Sequence, residues 1–154
     1  MKTILSIPKF PLPMPKPKQT NHQILPTSTM GFGVFATRDL EIGDLILAER
    51  PLIVIPRLAC PATQGQAETR YLSLDNYIEP CFEKLTPEDQ AAYHELSNSH
   101  TSDGSGPLLG ILRTNGYGVK MGEANIYQHS AVYKELSRAN HRYNFMRSVK
   151  FDHN

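Results

Sequence analysis

Met30-Gly31-Phe32-Gly33-Val34-Phe35-Ala36-Thr37-Arg38-Asp39-Leu40-Glu41-Ile42-Gly43-Asp44-Leu45-Ile46 carries more structural information than any other run in this chain. Gly33–Thr37 is short, apolar and rich in strand-forming residues. Leu40–Asp44 supplies a turn in which Gly43 is free to take positive φ. Leu45–Ala48 and then Leu52–Ile55, dense in Leu, Ile and Val, are the strongest strand candidates. Pro51 between them removes a ladder donor and predicts a bend or a sheet edge, flanked by Glu49 and Arg50. This run reads as a β-meander, not as a strand feeding a long crossover helix. Gly31-Phe32-Gly33 is a GxG without the further spacing of a dinucleotide-binding turn. By itself it is also two glycines in a loop entering a hairpin.

Downstream the pattern changes. Residues 57–66 read as loop, and Thr69–Tyr77 is ambiguous. Thr86-Pro87-Glu88-Asp89 is a helix start: a capping hydroxyl, a proline suited to the first turn, and two acids at the positive helix end. The helix is predicted from Pro87 to Leu96 or Asn98, with Ala92, Tyr93 and Leu96 on its buried face. Residues 98–106 form a polar loop. Pro107 opens a second short helix with Leu108, Leu109, Ile111 and Leu112 inward, ended by the turn residues Thr114–Gly118. The remainder reads as short irregular elements. Strands followed by segregated helices predict an α+β fold with small antiparallel sheets.

Upstream, six of the twelve prolines precede Gly31, at positions 8, 11, 13, 15, 17 and 26. Each fixes φ and removes a donor, so residues 1–26 are expected to form a flexible, proline-rich basic arm. Residues 27–154 then make one domain, a size that 154 residues support.

Net charge is only +1 but unevenly distributed. The arm holds Lys2, Lys9, Lys16 and Lys18 and no acid, whereas residues 58–110 hold eight acids against Arg70 and Lys84. No dense basic stripe with interleaved aromatics occurs, so nucleic acid is not an expected partner. Cys60 and Cys81 are too few for a four-cysteine zinc site, and read as free thiols in a reducing compartment. The six histidines show no paired ligand spacing, so no metal is expected. Met1–Ile7 is too short an apolar run for a signal peptide, and no segment is long enough to span a membrane. A cytoplasmic or nuclear location is expected.

The second informative stretch is Leu136-Ser137-Arg138-Ala139-Asn140-His141. An Asn-His pair is also readable as a loop dipeptide bonded to its own backbone. Taken with Gly31–Ile46, in this order and about a hundred residues apart, it resembles the opening strands and the Asn-His motif of the SET domain. That is the protein-lysine methyltransferase fold, and the likeness runs over about residues 30–152 toward the fungal and SET-and-MYND subclass. The resemblance implies S-adenosylmethionine as cofactor. It implies that Gly31, Phe32 and Gly33 bring backbone close to it. Asn140 and His141 would hydrogen-bond its adenine and amino-acid ends, an amide offering both donor and acceptor to a purine edge. Gly104–Leu109 and Arg113–Gly118 look like that subclass's helical insert, over about residues 68–116. There the Asn-Gly-aromatic turn re-enters the sheet, so Asn115 or Tyr117 would line the cofactor side.

The chain also departs from the family. Arg142-Tyr143-Asn144 stands where the family has Ser-Cys-x-Pro-Asn, and no MYND finger or associated zinc site is possible with two cysteines. Only Arg142–Asn154 follow His141, without the Gly-Glu-Glu type turn that precedes the family's catalytic tyrosine. The expectation is a SET-like chain truncated after the Asn-His motif, lacking the C-terminal part of the fold, inactive or incomplete alone, with no catalytic residue assigned. Its substrate, if active, would be a protein or histone lysine. Two rival readings stand beside this one. The first is a non-catalytic interaction scaffold whose proline-rich arm docks in an aromatic-lined groove. The second is a chain lacking its last exon.

Overall fold

The structure, a computed structural model, describes residues 14–29, 31–56, 77–120 and 129–139. In chain order these form strands β1 (His22–Pro26), β2 (Phe32–Ala36) and β3 (Ile53–Pro56). A helical stretch at 77–82 follows, then helices α1 (Pro87–His94) and α2 (Pro107–Asn115). Strands β4 (Tyr117–Val119) and β5 (His129–Val132) and a single 3-10 turn, Leu136–Arg138, complete the described residues. The arrangement is α+β.

The strands make two small antiparallel sheets. β1 and β2 pair as a hairpin, His22 opposite Ala36 and Pro26 opposite Phe32. The other sheet has the order β3-β5-β4, with Ile53 opposite Val132 and Tyr117 opposite Ala131. Alternation along β3 buries Ile53 and Ile55 on one face. Against them pack Ile78, Tyr93, Leu96, Leu109, Ile111 and Leu112, together with Val132 of the central strand. This is the core, and it lies between the three-stranded sheet and the helices.

Local chemistry explains the helices. Thr86 Oγ1 accepts from the Asp89 amide at 3.2 Å and donates to the Asp89 carboxylate at 2.9 Å, and Pro87 fills the first turn. Tyr93, fully buried, donates its hydroxyl to the Leu108 carbonyl at 2.9 Å and so joins α1 to the first turn of α2. At the far end of α2, Asn115 Nδ2 donates to the Ile111 carbonyl (2.8 Å) and to the Ser97 carbonyl (2.7 Å). The loop between the helices is pinned by Asp103, which meets His100 Nδ1 and Arg113 Nη1 at 2.7 Å each. The His100 contact first, with the Ser105 backbone and side chain and Arg113 behind it, holds the Asp103 carboxyl well below the usual carboxylate range.

Four expectations need correction. Residues 22–26, assigned to the arm on proline content, form β1 instead. Pro26 is tolerated because it closes a strand of a two-stranded sheet, where no second neighbour needs its missing donor. Leu45–Ala48 is not a strand. The Leu45 and Ile46 carbonyls are taken instead by side chains, Asn21 Nδ2 at 2.7 Å and His22 Nδ1 at 3.1 Å. The meander is also not formed: β2 pairs backward with β1, and β3 pairs across the chain with β5. Finally, Thr114–Gly118 is not all turn and the residues after it are not all irregular, since β4 and β5 join β3 in the larger sheet. The helix starts, by contrast, fall at Pro87 and Pro107 as read, and Gly43 has φ of 100° in its turn.

Candidate functional site

Three segments distant in sequence converge on one hollow of about 740 Å³. The first is the entry to β2, Gly31 and Phe32. The second is the end of α2 and start of β4, Thr114 to Tyr117, backed by Glu95, Leu96 and Ser97 from the end of α1. The third is Ser137–Ala139, the last residues described before Asn140.

Gly31 sits in the link between β1 and β2 with φ of 69°, a conformation that side-chain-bearing residues rarely hold. Its carbonyl accepts from the Thr27 amide (2.6 Å) and hydroxyl (2.9 Å), which fixes the turn. A Cβ here would meet only Ser97 Oγ at an ordinary 3.8 Å, so the backbone conformation, not crowding, requires glycine. Phe32 follows with its ring about half exposed. The Arg138 guanidinium lies over that ring, 5.2 Å from its centroid, and reaches Glu95 Oε2 at 3.1 Å. One arginine thus ties the β2 entry to the end of α1 across the hollow.

Asn115 and Tyr117 also line the hollow. Asn115 is buried and spends its Nδ2 group on the fold, so its side chain keeps the amide oxygen for a ligand. Tyr117 donates its hydroxyl to the Leu136 carbonyl at 3.1 Å and packs edge-on against Tyr133, centroids 6.0 Å apart. Burial first, then the neighbouring Tyr133, raises the Tyr117 hydroxyl above the ordinary phenol range. Ser137 Oγ accepts from the Tyr133 amide (2.9 Å) and donates to the Asn115 carbonyl (3.1 Å).

Of the residues singled out in the sequence, Gly31, Phe32, Asn115 and Tyr117 line this hollow. Gly33 does not: it is buried within β2. Asn140 and His141 lie outside the described residues, as do Cys60 and Arg142–Asn154. Several residues around the hollow were not anticipated. Glu95, Ser97 and Thr114 carry no local signature, because helix-end polar residues usually face water. Among the described residues no group of three His, Cys, Asp or Glu side chains is placed to hold a metal ion, and no helix is long and apolar enough to cross a membrane.

Comparison with known proteins gives a partial relationship. Over 94 residues, 61% of this chain, the sequence is 31% identical to the histone-lysine N-methyltransferase set5 of Schizosaccharomyces pombe. The matched stretch is 24% of that relative, so the chain spans about a quarter of its length. No protein-family profile and no solved structure matches. The relationship is SET-like, and the small antiparallel sheets with short helices are compatible with such a fold.

Proposed function

We propose that this chain is a SET-related module of the protein-lysine methyltransferase lineage, and that its hollow receives S-adenosylmethionine. The observation that carries the reading is the convergence of Gly31-Phe32, Asn115–Tyr117 and Ser137–Ala139 on one hollow. Those are the segments, or the immediate approach to the segments, that the family resemblance assigns to the cofactor. The partial likeness to a histone-lysine methyltransferase agrees with this reading.

The residues suit such a ligand. A volume of about 740 Å³ falls within the range of small-molecule sites. Phe32 offers an apolar ring, Ser97 offers a hydroxyl, and the left-handed turn at Gly31 brings backbone to the rim without a side chain. Asn140 and His141 complete the proposed set from sequence. When bound, the cofactor would supply a sulfonium methyl group for in-line transfer to an amine. In this reading the acceptor is a lysine of a protein partner.

Calorimetric titration of the folded protein with S-adenosylmethionine tests the proposal. One-to-one binding is expected, weakened about tenfold or more by Asn140→Ala, the loss of one well-made polar contact. ATP, which shares the adenine but not the methionine, serves as control and should bind far less tightly. A folded sample that gives no heat with S-adenosylmethionine overturns the reading and favours a non-catalytic scaffold.

A further inference from the structure

Glu49 does not line the hollow, yet its carboxylate has an unusual set of partners. Oε1 accepts from the Lys134 amide at 2.8 Å and from the Glu135 amide at 3.0 Å. Oε2 accepts from the Glu135 amide at 3.0 Å and from the Leu136 amide at 2.8 Å. Three consecutive backbone N–H groups therefore point into one half-buried carboxylate from a segment 85 residues or more downstream. Successive amides with one orientation form a concave anion seat, and here the anion belongs to the chain itself.

We propose that Glu49 is a positioning residue for the ligand hollow, fixing the 134–136 turn so that Ser137–Ala139 stand as one of its walls. The inference rests on the ligand reading for its functional consequence. The carboxylate holds the turn by backbone, and side chains complete the anchorage. Glu135 Oε2 meets His22 Nε2 at 2.7 Å, Ser137 Oγ is gripped between the Tyr133 amide and the Asn115 carbonyl, and Tyr117 holds the Leu136 carbonyl. A side-chain contact can be lost while the backbone keeps its course. Without the carboxylate, three half-buried N–H groups on consecutive residues would lose their common acceptor, which costs free energy and frees the turn to move. Glu49 immediately precedes Arg50-Pro51 and leads into β3, which is itself hydrogen-bonded to β5. Three residues on, the Leu52 amide donates to the Val132 carbonyl at 2.8 Å, which ties this stretch to the end of β5, where the chain leaves for the turn.

Glu49→Gln is the discriminating variant. A glutamine is isosteric but keeps one acceptor oxygen, and its NH₂ would confront backbone donors. In wild-type protein the Lys134, Glu135 and Leu136 amide protons should resonate downfield, as donors to a carboxylate do, and should exchange slowly. In Glu49→Gln all three should move upfield and exchange faster. S-adenosylmethionine binding should weaken about tenfold, with thermal unfolding still cooperative. Glu88→Gln is the control. It removes the exposed Lys134 Nζ–Glu88 pair (3.0 Å) from the same turn without touching its backbone, and should leave both the amide signals and the affinity as they were. Should Glu49→Gln not fold, Glu49→Asp carries the same readings, since it keeps the charge but withdraws it by one methylene. Amide signals unchanged in a folded Glu49 variant overturn the proposal, as does unchanged affinity. If wild-type protein binds no S-adenosylmethionine, the ligand reading fails by itself, and the amide signals still decide whether Glu49 sets the turn.

Discussion

At the scale of single residues, Gly31 is the clearest case of sequence dictated by conformation. Its φ of 69° is one that a Cβ makes unfavourable, while the space around it would admit a methyl group. Gly31→Ala is therefore expected to lose about 1–2 kcal/mol of stability through backbone strain alone. Urea denaturation measures this, and a loss near zero would show that the turn relaxes. Arg138 makes a different point. Its guanidinium joins the Phe32 ring to Glu95, so its importance lies in what it brings together rather than in any motif. Arg138→Lys, which keeps the charge but loses the planar fork, should loosen the hollow and lower ligand affinity about threefold to tenfold, read by the same calorimetry.

At the scale of elements, what was legible in the sequence was local. Thr86-Pro87 and Pro107 mark helix starts because cap, φ and dipole act within a few residues. Gly43 marks a turn for the same reason, and Arg38 and the Glu41 amide close it on the Asp44 carboxylate. What was not legible depends on distant partners. Leu45–Ala48 has a strand's composition, yet its carbonyls are claimed by Asn21 and His22. Proline density argued against β1, yet the pairing with β2 reaches Pro26. Nothing near Glu49 announces that its acceptors serve amides of the 134–136 turn.

Tyr93 gives the element scale its pH dependence. Burial pushes its hydroxyl well above the ordinary phenol range. The unfolded chain would release that proton near pH 10, while the folded one retains it. The folded state thus binds the proton more tightly, and stability is full below about pH 10 and declines as pH rises beyond it. Tyr93→Phe should lose about 1 kcal/mol at neutral pH with the bond to Leu108. Its alkaline decline should also be shallower, since Tyr117 and Tyr133 share the remaining effect. Chemical denaturation at neutral pH and above pH 10 checks both statements. An equally steep alkaline decline in the variant would contradict the assignment.

At the scale of the molecule, one apolar cluster joins β3 and β5 to the three helical stretches. Leu109, fully buried at its centre, is the position where a cavity should be felt throughout. Leu109→Ala is expected to lose about 2–5 kcal/mol in urea denaturation, and a loss under about 1 kcal/mol would mean that the helices pack independently of the sheet. The hollow lies where this core meets the β1–β2 hairpin and the 3-10 turn, so it depends on the core yet is lined by segments that none of the helices holds alone.

Those segments are expected to share a single ligand. Amide chemical-shift mapping during titration with S-adenosylmethionine tests this most directly. Gly31, Phe32, Asn115, Gly116, Tyr117 and Ser137–Ala139 should shift together along one saturation curve. Shifts confined to one of these segments, or centred on the exposed face of α1, would contradict it.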